Sequence, residues 1–334
     1  MITQASTADF MSQAQPNAPT LSVVIVSWNA QAYVRECLES LCIPERQAFT
    51  EIIVVDNASS DGTSRMVKEQ FPAVKLIQNE ANLGFAKANN LGLSLCKGRY
   101  VCLVNSDVRV LAGCVEKMLE YMERNPSVGL LGPAMVGADF QVRRSCMKLP
   151  TLWNSLCYAL ALDSLFKSFA MFSSFLMRDF RHDLTSDVEV LNGWFWMVRR
   201  QALDQVGGLD ERFFMYGEDV DWCKRFADAG WRIVFFPEAK AIHYGGASSA
   251  TVPLRCYLQL QRARIQYWEK HHHPASHPLF FIVLVAEQLA RLVGYAIACT
   301  WKATRSQAIA KFERSAASLR WLLGSRHPLG EVNE

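Results

Sequence analysis

Between Leu21 and Val136, short runs of β-favouring apolar residues alternate with helical patterns, and this alternation restricts the fold more than any other feature. The runs are Leu21–Ser27, Glu51–Val55, Val74–Gln78 and Tyr100–Val104, and helical patterns occupy about 31–42, 63–70, 85–96 and 112–124. Each run is nearly continuous in apolar residues, as expected of strands covered on both faces. Strand–helix alternation implies right-handed crossovers and an α/β fold with a mostly parallel sheet. Ligands of such sheets bind outside the carboxyl ends of the strands. Trp28-Asn29, Asp56-Asn57 and Asn105-Ser106-Asp107 each follow a run, so all three are expected to converge on one cleft.

Beyond Val136 the pattern is less regular. Val188–Arg199 reads as a strand, Asp219–Ala229 as a helix and Trp231–Phe236 as a strand, while about 150–180 is apolar with few charges and the tail from about 254 is helical. The expected organisation is a disordered leader over 1–20 and a main domain over 21–250, divided into halves at 136/137. A helical extension follows over 251–334. The leader lacks the basic start and apolar stretch of a signal peptide. A net charge of +3 gives no support to nucleic acid as a partner. Ten scattered cysteines without a Cys-x-x-Cys pair suit a reducing compartment, with the thiols used as small core residues.

The chemistry-bearing residues fall in two acidic clusters about 110 residues apart. Asp107 ends the first, directly after a strand. A carboxylate there can hold Mg²⁺ or Mn²⁺, which take oxygen donors and share their shell with substrate phosphates. His243 could add an imidazole ligand, or simply pack at a strand end. Glu218, Asp219 and Asp221 form the second cluster at a helix start. Acidic residues there complement the helix dipole, but three in four positions exceed what capping needs. The aromatic run Phe213-Phe214-Met215-Tyr216 sets them against an apolar wall that can raise a carboxylate's pKa toward that of a useful base. Asp56 suits either a ribose or base contact or a helix cap. Gly84, in Asn82-Leu83-Gly84, permits close backbone approach at a helix start. Trp194 and Trp196 could stack on an acceptor sugar or fill the core. No Gly-x-Gly-x-x-Gly follows the first run, which counts against a dinucleotide oxidoreductase.

In their order along the chain these motifs resemble the family-2 inverting glycosyltransferases. They are Val23–Asn29, Val54–Thr63, Asn82–Ala86, Asn105-Ser106-Asp107, Gly207–Phe214 and Glu218–Asp221. More narrowly the chain is similar to the rhamnosyltransferase-like branch that builds O-antigens and other bacterial surface polysaccharides. The resemblance covers about residues 21–270. It implies a GT-A fold, a Rossmann-like nucleotide-binding half fused to an acceptor-binding half. It implies a nucleotide-sugar site from Ser27, Asn29, Asp56, Asn57, Asn82, Gly84 and Asn105, and a metal held by Asp107 and His243. It also implies Asp219 as catalytic base beside Glu218. Asn105 departs from the family's Asp-x-Asp pattern and removes one charge from the metal site. The donor implied first is dTDP-rhamnose and the acceptor a lipid-linked glycan. The alternatives are another sugar from a UDP donor, or a non-catalytic scaffold of a polysaccharide assembly complex.

A lipid-linked acceptor directs attention to Leu279–Thr300, which is apolar enough to consider spanning a membrane. Glu287 and Arg291 would cost roughly 2.5–3.5 kcal/mol each at a bilayer centre, while each Leu, Ile, Phe or Val returns roughly 0.3–0.6. Eleven such residues bring the sum near zero or leave it unfavourable. The expectation is an amphipathic helix on a membrane or on the catalytic domain, with the protein cytoplasmic and peripheral on the inner face of the cytoplasmic membrane. His271-His272-His273 with His277 reads as a solvated turn.

Overall fold

The computed structural model describes residues 19–166, 169–173, 175–177, 180–245, 252–301 and 305–324. The expected disordered leader lies outside the described residues as far as residue 18. The first half contains β1 (Leu21–Ser27), α1 (Gln31–Leu41), β2 (Thr50–Asp56), α2 (Thr63–Gln70), β3 (Lys75–Gln78), α3 (Phe85–Leu93) and β4 (Tyr100–Asn105). β5 (Val108–Val110), α4 (Cys114–Arg124) and β6 (Val128–Val136) complete it. There follow β7 (Cys146–Met147), α5 (Leu152–Ala159), β8 (Ser186–Asp187), β9 (Val190–Leu191), β10 (Phe195–Arg199), α6 (Arg200–Val206), α7 (Glu218–Asp228) and β11 (Arg232–His243). The chain then becomes helical, with α8 (Pro253–His271), α9 (His277–Ala298) and α10 (Arg305–Leu323).

The main sheet has the order β3-β2-β1-β4-β10-β6-β11-β5, with β8 added on β11. β1 is parallel to β2 and β4, and β2 is parallel to β3. From β1 the chain steps outward to β3 and then returns to the other side of β1 as β4. That reversal opens a crevice at the carboxyl ends of β1 and β4. β10 runs antiparallel to both β4 and β6, and β11 is parallel to β6.

Alternation along the central strands divides the core into two layers. Val23, Ile25 and Cys102 pack with Val34, Met66 and Met118 of α1, α2 and α4 on one face. Val24, Val101 and Leu103 pack with Ala88, Leu203 and Trp222 of α3, α6 and α7 on the other. The strand runs are apolar throughout because both faces are covered. All ten cysteines are free thiols, and burial pushes Cys146 up to about 12, which suits their expected use as inert core residues.

Three expectations need correction. The strand read over Val188–Arg199 is two pieces, β9 and β10, broken at Asn192-Gly193-Trp194. The strand read over Trp231–Phe236 continues to His243, with a register shift between Phe236 and Lys240. Pro237 lies in that interval and lacks the N–H a regular ladder would use. Of the histidine run read as a solvated turn, only His273 is exposed. His272 stacks on Trp268 at 3.7 Å and 1°, Trp268 stacks on Phe280 at 4.0 Å and 3°, and burial lowers the His272 pKa.

His271 closes a charged knot that joins α8 to α7. The Asp221 side chain is fully buried; Arg225 Nε lies 2.8 Å from it, Lys270 Nζ 2.6 Å and His271 Nε2 2.7 Å. Burial alone would push Asp221 up, but His271, Lys270 and Arg225 outweigh it and hold it down to about 2. A depressed carboxylate stabilises the fold above its unfolded value and loses that contribution as pH falls through the folded one. Asp221→Asn should therefore destabilise the protein by roughly 1–3 kcal/mol, by removing the carboxylate that Arg225, Lys270 and His271 share. The difference from wild type should shrink as pH falls from neutral toward about 2. Urea unfolding at neutral and acid pH measures both, and a pH-independent difference would refute this account.

Candidate active site

A cavity of about 620 Å³ opens over the carboxyl ends of β1 and β4. Val26, Trp28 and Asn105 line it from those strand ends, and Asn57, Asn82 and Gly84 from the neighbouring loops. Asp107, Trp194 and His243 lie along it, and Glu218 and Asp219 face it from the start of α7. The expected convergence of strand-end motifs is therefore present, and a second half of the chain closes over it.

Long-range strand pairing positions the first acidic cluster. β11 pairs antiparallel with β5 so that His243 stands opposite Val108, and Tyr244 N–H donates to the Asp107 carbonyl at 3.0 Å. His243 Nε2 thereby comes within 3.2 Å of Asp107 Oδ1. On its other side His243 stacks against Trp194, with centroids 5.6 Å apart at 23°. Two donors bound side by side to one octahedral cation at about 2.0–2.1 Å would stand at about this spacing. No cluster of three or more His, Cys, Asp or Glu ligands occurs among the described residues. Asp107 and His243 bring one carboxylate and one imidazole, both donor types that divalent cations accept, to the cavity wall.

The loops after β1 and β2 are knitted together by their polar side chains. Asn29, in the left-handed region at φ 49°, accepts from Ser60 N–H at 2.8 Å, and its own N–H donates to Ser59 Oγ at 2.9 Å. Asp56 is buried and accepts from Ser59 N–H at 3.2 Å and from the Ser64 hydroxyl. Asn57 donates to Asn82 Oδ1 at 2.7 Å and accepts from Leu83 N–H at 2.9 Å and Asn79 Nδ2 at 3.0 Å. Ser27 is buried, and its hydroxyl has no partner among the described residues. Of the nucleotide-sugar candidates, Asn57, Asn82, Gly84 and Asn105 line the cavity, whereas Ser27, Asn29 and Asp56 lie beside or behind the lining. Asp56 is engaged with Ser59 and Ser64, and it does not cap α2, whose N-cap is Gly62.

Gly84 joins this loop to the second acidic cluster. Its φ is +83°, and a Cβ there would lie 2.5 Å from the Phe214 carbonyl oxygen. Phe85 N–H donates to that same oxygen at 2.6 Å. Only glycine admits so close an approach at that φ, so the loop before α3 and the loop leading into α7 are held in contact.

The three acidic residues of α7 sit in three different environments. Asp221 belongs to the buried knot. Glu218 is buried, and its Oε2 has no hydrogen-bond partner among the described residues; burial first, and then the neighbouring Asp219 charge, raise its pKa well above the ordinary value. Asp219 is half-buried on the cavity wall. Burial raises it too, opposed by the N–H groups of Val220 and Gly193. Of this pair Glu218 holds its proton the longer and Asp219 ionises first.

Trp196 corrects an expectation: it is 1% exposed, its Nε1 donates to the Leu191 carbonyl at 3.2 Å, and its ring packs on Trp222. It fills the core and has no face free for a sugar. Trp194 lines the cavity but packs against His243, so it supports the imidazole. The sequence reading missed Gly193, where a Cβ would lie 3.3 Å from the Asp219 Cβ. The signal available was a glycine interrupting a strand pattern. It also missed the polar far end of the cavity, where Tyr158, Arg255, Arg264 and Arg291 line the wall.

Residues 22–207 match the family model described as glycosyl transferase family 2. The N-acetylglucosaminyl-diphospho-decaprenol L-rhamnosyltransferase of Mycobacterium tuberculosis is 30% identical over 253 residues, which cover 70% of this chain and 78% of that protein. The putative teichuronic acid biosynthesis glycosyltransferase TuaG of Bacillus subtilis is 32% identical over 126 residues, covering 36% of this chain and 49% of that protein. Among solved structures, the mannosyltransferase PcManGT of Pyrobaculum calidifontis, in complex with GDP-Man and Mn²⁺, superposes with a TM-score of 0.54. It is 17% identical, and the match covers 95% of this chain and 93% of that one. This likeness concerns the fold alone and agrees with the expected GT-A architecture.

The raised Glu218 pKa has a consequence for stability. A carboxyl that ionises later in the folded state stabilises the fold below its unfolded value of 4.5 and loses that contribution as pH rises through the folded value. Glu218→Gln does not titrate, so its melting temperature should gain on wild type as pH rises above 4.5. Thermal unfolding across that range measures the gain; a constant or shrinking difference would remove the argument for a proton held on Glu218.

Proposed function

The chain belongs to glycosyl transferase family 2, and from that membership and the geometry of the cavity we propose an inverting transfer with Asp219 as the base. The donor is a nucleotide sugar, with dTDP-rhamnose the first choice, and the acceptor a glycan carried on a prenyl diphosphate. The choice of rhamnose and of that acceptor draws on the mycobacterial relative's similarity. One observation carries the mechanism: Asp219 and the Asp107–His243 pair, delivered by separate elements, face the same cavity.

Asp219 accepts the proton of an acceptor hydroxyl, and burial makes it a stronger base than an ordinary aspartate. The hydroxyl oxygen forms its bond to the anomeric carbon while the bond from that carbon to the diphosphate oxygen breaks. One displacement inverts the configuration, through a transition state of oxocarbenium character. Glu218, keeping its proton longer, limits the negative charge beside Asp219. Asn57, Asn82 and Gly84 shape the donor side of the cavity, and Asn105 and Asp107 border the leaving group. Mg²⁺ or Mn²⁺ held by Asp107 and His243 would offset charge on the departing diphosphate.

A peripheral membrane position completes the reading. α9 falls within Pro274–Ala298, a segment long and apolar enough to cross a membrane by length and composition. Its Glu287 is nevertheless 1% exposed and paired with Arg264 and Arg291. Leu279, Ile282, Leu289, Val293 and Ile297 are each at least half exposed. Such a helix suits lying on a bilayer with its charged side packed on protein.

Two tests follow. Purified protein with Mg²⁺ should release nucleoside diphosphate from dTDP-rhamnose in preference to UDP- or GDP-sugars, and Asp219→Asn should lower the rate by roughly 10²–10⁴-fold. Preference for a UDP or GDP donor would discard rhamnose, and equal rates for Asp219→Asn and wild type would discard the base. Val293→Glu should abolish co-sedimentation with anionic phospholipid vesicles; retained binding would place the membrane face elsewhere.

A further inference from the structure

Two polar side chains in the cavity wall beside Asp219 are left unsatisfied by the fold. Asn192 and Glu218 both line the cavity. Asn192 Oδ1 and Glu218 Oε2 are buried and have no hydrogen-bond partner among the described residues, and Glu218 as a whole is only 6% exposed. Native interiors pair nearly all of their buried polar groups, because a group stripped of water and left unpaired is costly. An orphaned atom in the wall of a cavity marks where an entering group completes the pairing.

The backbone holds both residues in place. Asn192 N–H donates to the Ser145 carbonyl at 2.9 Å, and the Asn192 carbonyl accepts from Trp194 N–H at 2.9 Å. The Trp194 carbonyl accepts in turn from Asn105 N–H, at the end of β4, at 2.9 Å, and its ring stacks on His243. Between them Gly193 lies against the base, since a Cβ there would come within 3.3 Å of the Asp219 Cβ. Asn192 precedes Gly193 and Glu218 precedes Asp219, each with its Cα about 3.8 Å from that of its neighbour. The turn Asn192-Gly193-Trp194 thus runs from the base to the imidazole beside Asp107, and the two orphaned atoms flank the base. Hydrogen-bonding atoms fixed before a ligand arrives need little ordering when it binds.

Their chemistry selects a hydroxyl. The Asn192 amide offers an oxygen acceptor and two N–H donors, and a protonated carboxyl at Glu218 offers one O–H donor. Burial, and then the Asp219 charge, favour that protonated form. A sugar hydroxyl carries one donor and two acceptor lone pairs, so it can donate to Asn192 Oδ1 and accept from Glu218 at once. A carboxylate or phosphate would leave Asn192 Oδ1 unpaired and would be repelled by Asp219. An aliphatic group would leave both atoms unpaired.

We propose that Asn192 and Glu218 form a specificity subsite that binds a sugar ring hydroxyl next to the reacting bond. The hydroxyl belongs either to the acceptor, beside the one that gives its proton to Asp219, or to the donor sugar. This rests on the transfer proposed above. A site built to pair a hydroxyl rejects the analogue lacking it, because the buried partners are then stranded.

The test is a cycle that combines variants with deoxy sugars. Rates are measured with dTDP-rhamnose and with N-acetylglucosamine carried on farnesyl diphosphate, and with analogues of each that lack one ring hydroxyl, the reacting one excepted. Affinities for the same compounds are measured by titration calorimetry. In wild type one deoxy analogue should lose at least about tenfold in kcat/KM. That penalty should vanish in Asn192→Ala and in Glu218→Ala. Glu218→Gln, which keeps an N–H donor, should retain it. Whether the hydroxyl concerned lies on the donor or on the acceptor identifies its source. A purely structural role would slow all substrates alike and leave the penalty unchanged in the alanine variants. That result, or the absence of any penalty in wild type, overturns the subsite while the transferase reading stands. If wild type does not turn this pair over, the donor or acceptor proposed above is wrong, and the cycle is read on affinities. A penalty in affinity that vanishes in both alanine variants then keeps the subsite, and any other result overturns it.

Discussion

The buried Asp221 carboxylate, held by Arg225, Lys270 and His271, fixes the relation between two parts of the chain that the active cavity needs together. Arg225 belongs to the same helix as Asp221 and by itself would only stiffen α7. Lys270 and His271 lie at the end of α8, so their contact fixes that end of the helix against α7. Taking an aspartate and a lysine out of water is costly, and the knot is tolerable only because each partner satisfies the others. Its geometry is correspondingly strict: a small shift of α8 would leave a charge uncompensated. The carboxylates at the head of α7 and the side chains along α8 therefore share one frame.

A second constraint works at the donor end. β11 is long because a bulge at Pro237 lets it turn and continue to β5. Without that continuation His243 would not reach Asp107, since the two are 136 positions apart and joined only by strand pairing. Gly84 adds a third tie, by admitting the Phe214 carbonyl against the nucleotide loop. The loop leading into α7 is thus anchored on one side to the first half of the chain and on the other to the helical extension.

The nucleotide half was legible because its signals are local. The first run, Leu21–Ser27, coincides with β1, and β2, β3, β4 and the helices α1 to α4 lie within a few residues of their expected limits, whereas β5 and β6 were not read. Parallel strands buried on both faces announce themselves as apolar runs, and a switch point follows from their order. The other half was legible only where a residue type carried its own meaning, as with Glu218 and Asp219. Trp196 and the histidine run were misread because their environments come from distant elements: Trp222 and Leu191 for the tryptophan, Trp268, Phe280 and Asp221 for the histidines. No periodicity records such contacts. The break at Asn192-Gly193-Trp194 was signalled by its glycine, but strand propensity on both sides masked it.

The three carboxylates of α7 show why residue type alone is not enough to assign a role. All three lie in the first turn and gain equally from the helix dipole, so the helix itself does not distinguish them. Asp221 receives cations from α8 and becomes a permanent anion that holds the fold. Glu218 Oε2 has no hydrogen-bond partner among the described residues, and burial raises its pKa. Asp219 receives the Val220 and Gly193 N–H groups, which support its ionised form without the full neutralisation that would disable a base. Asp219 is consequently the acid of the three that is both ionisable and facing the cavity. That selection is made by Gly193 from one side of the chain and by Lys270 and His271 from another, and only the folded arrangement brings them to the same turn of helix.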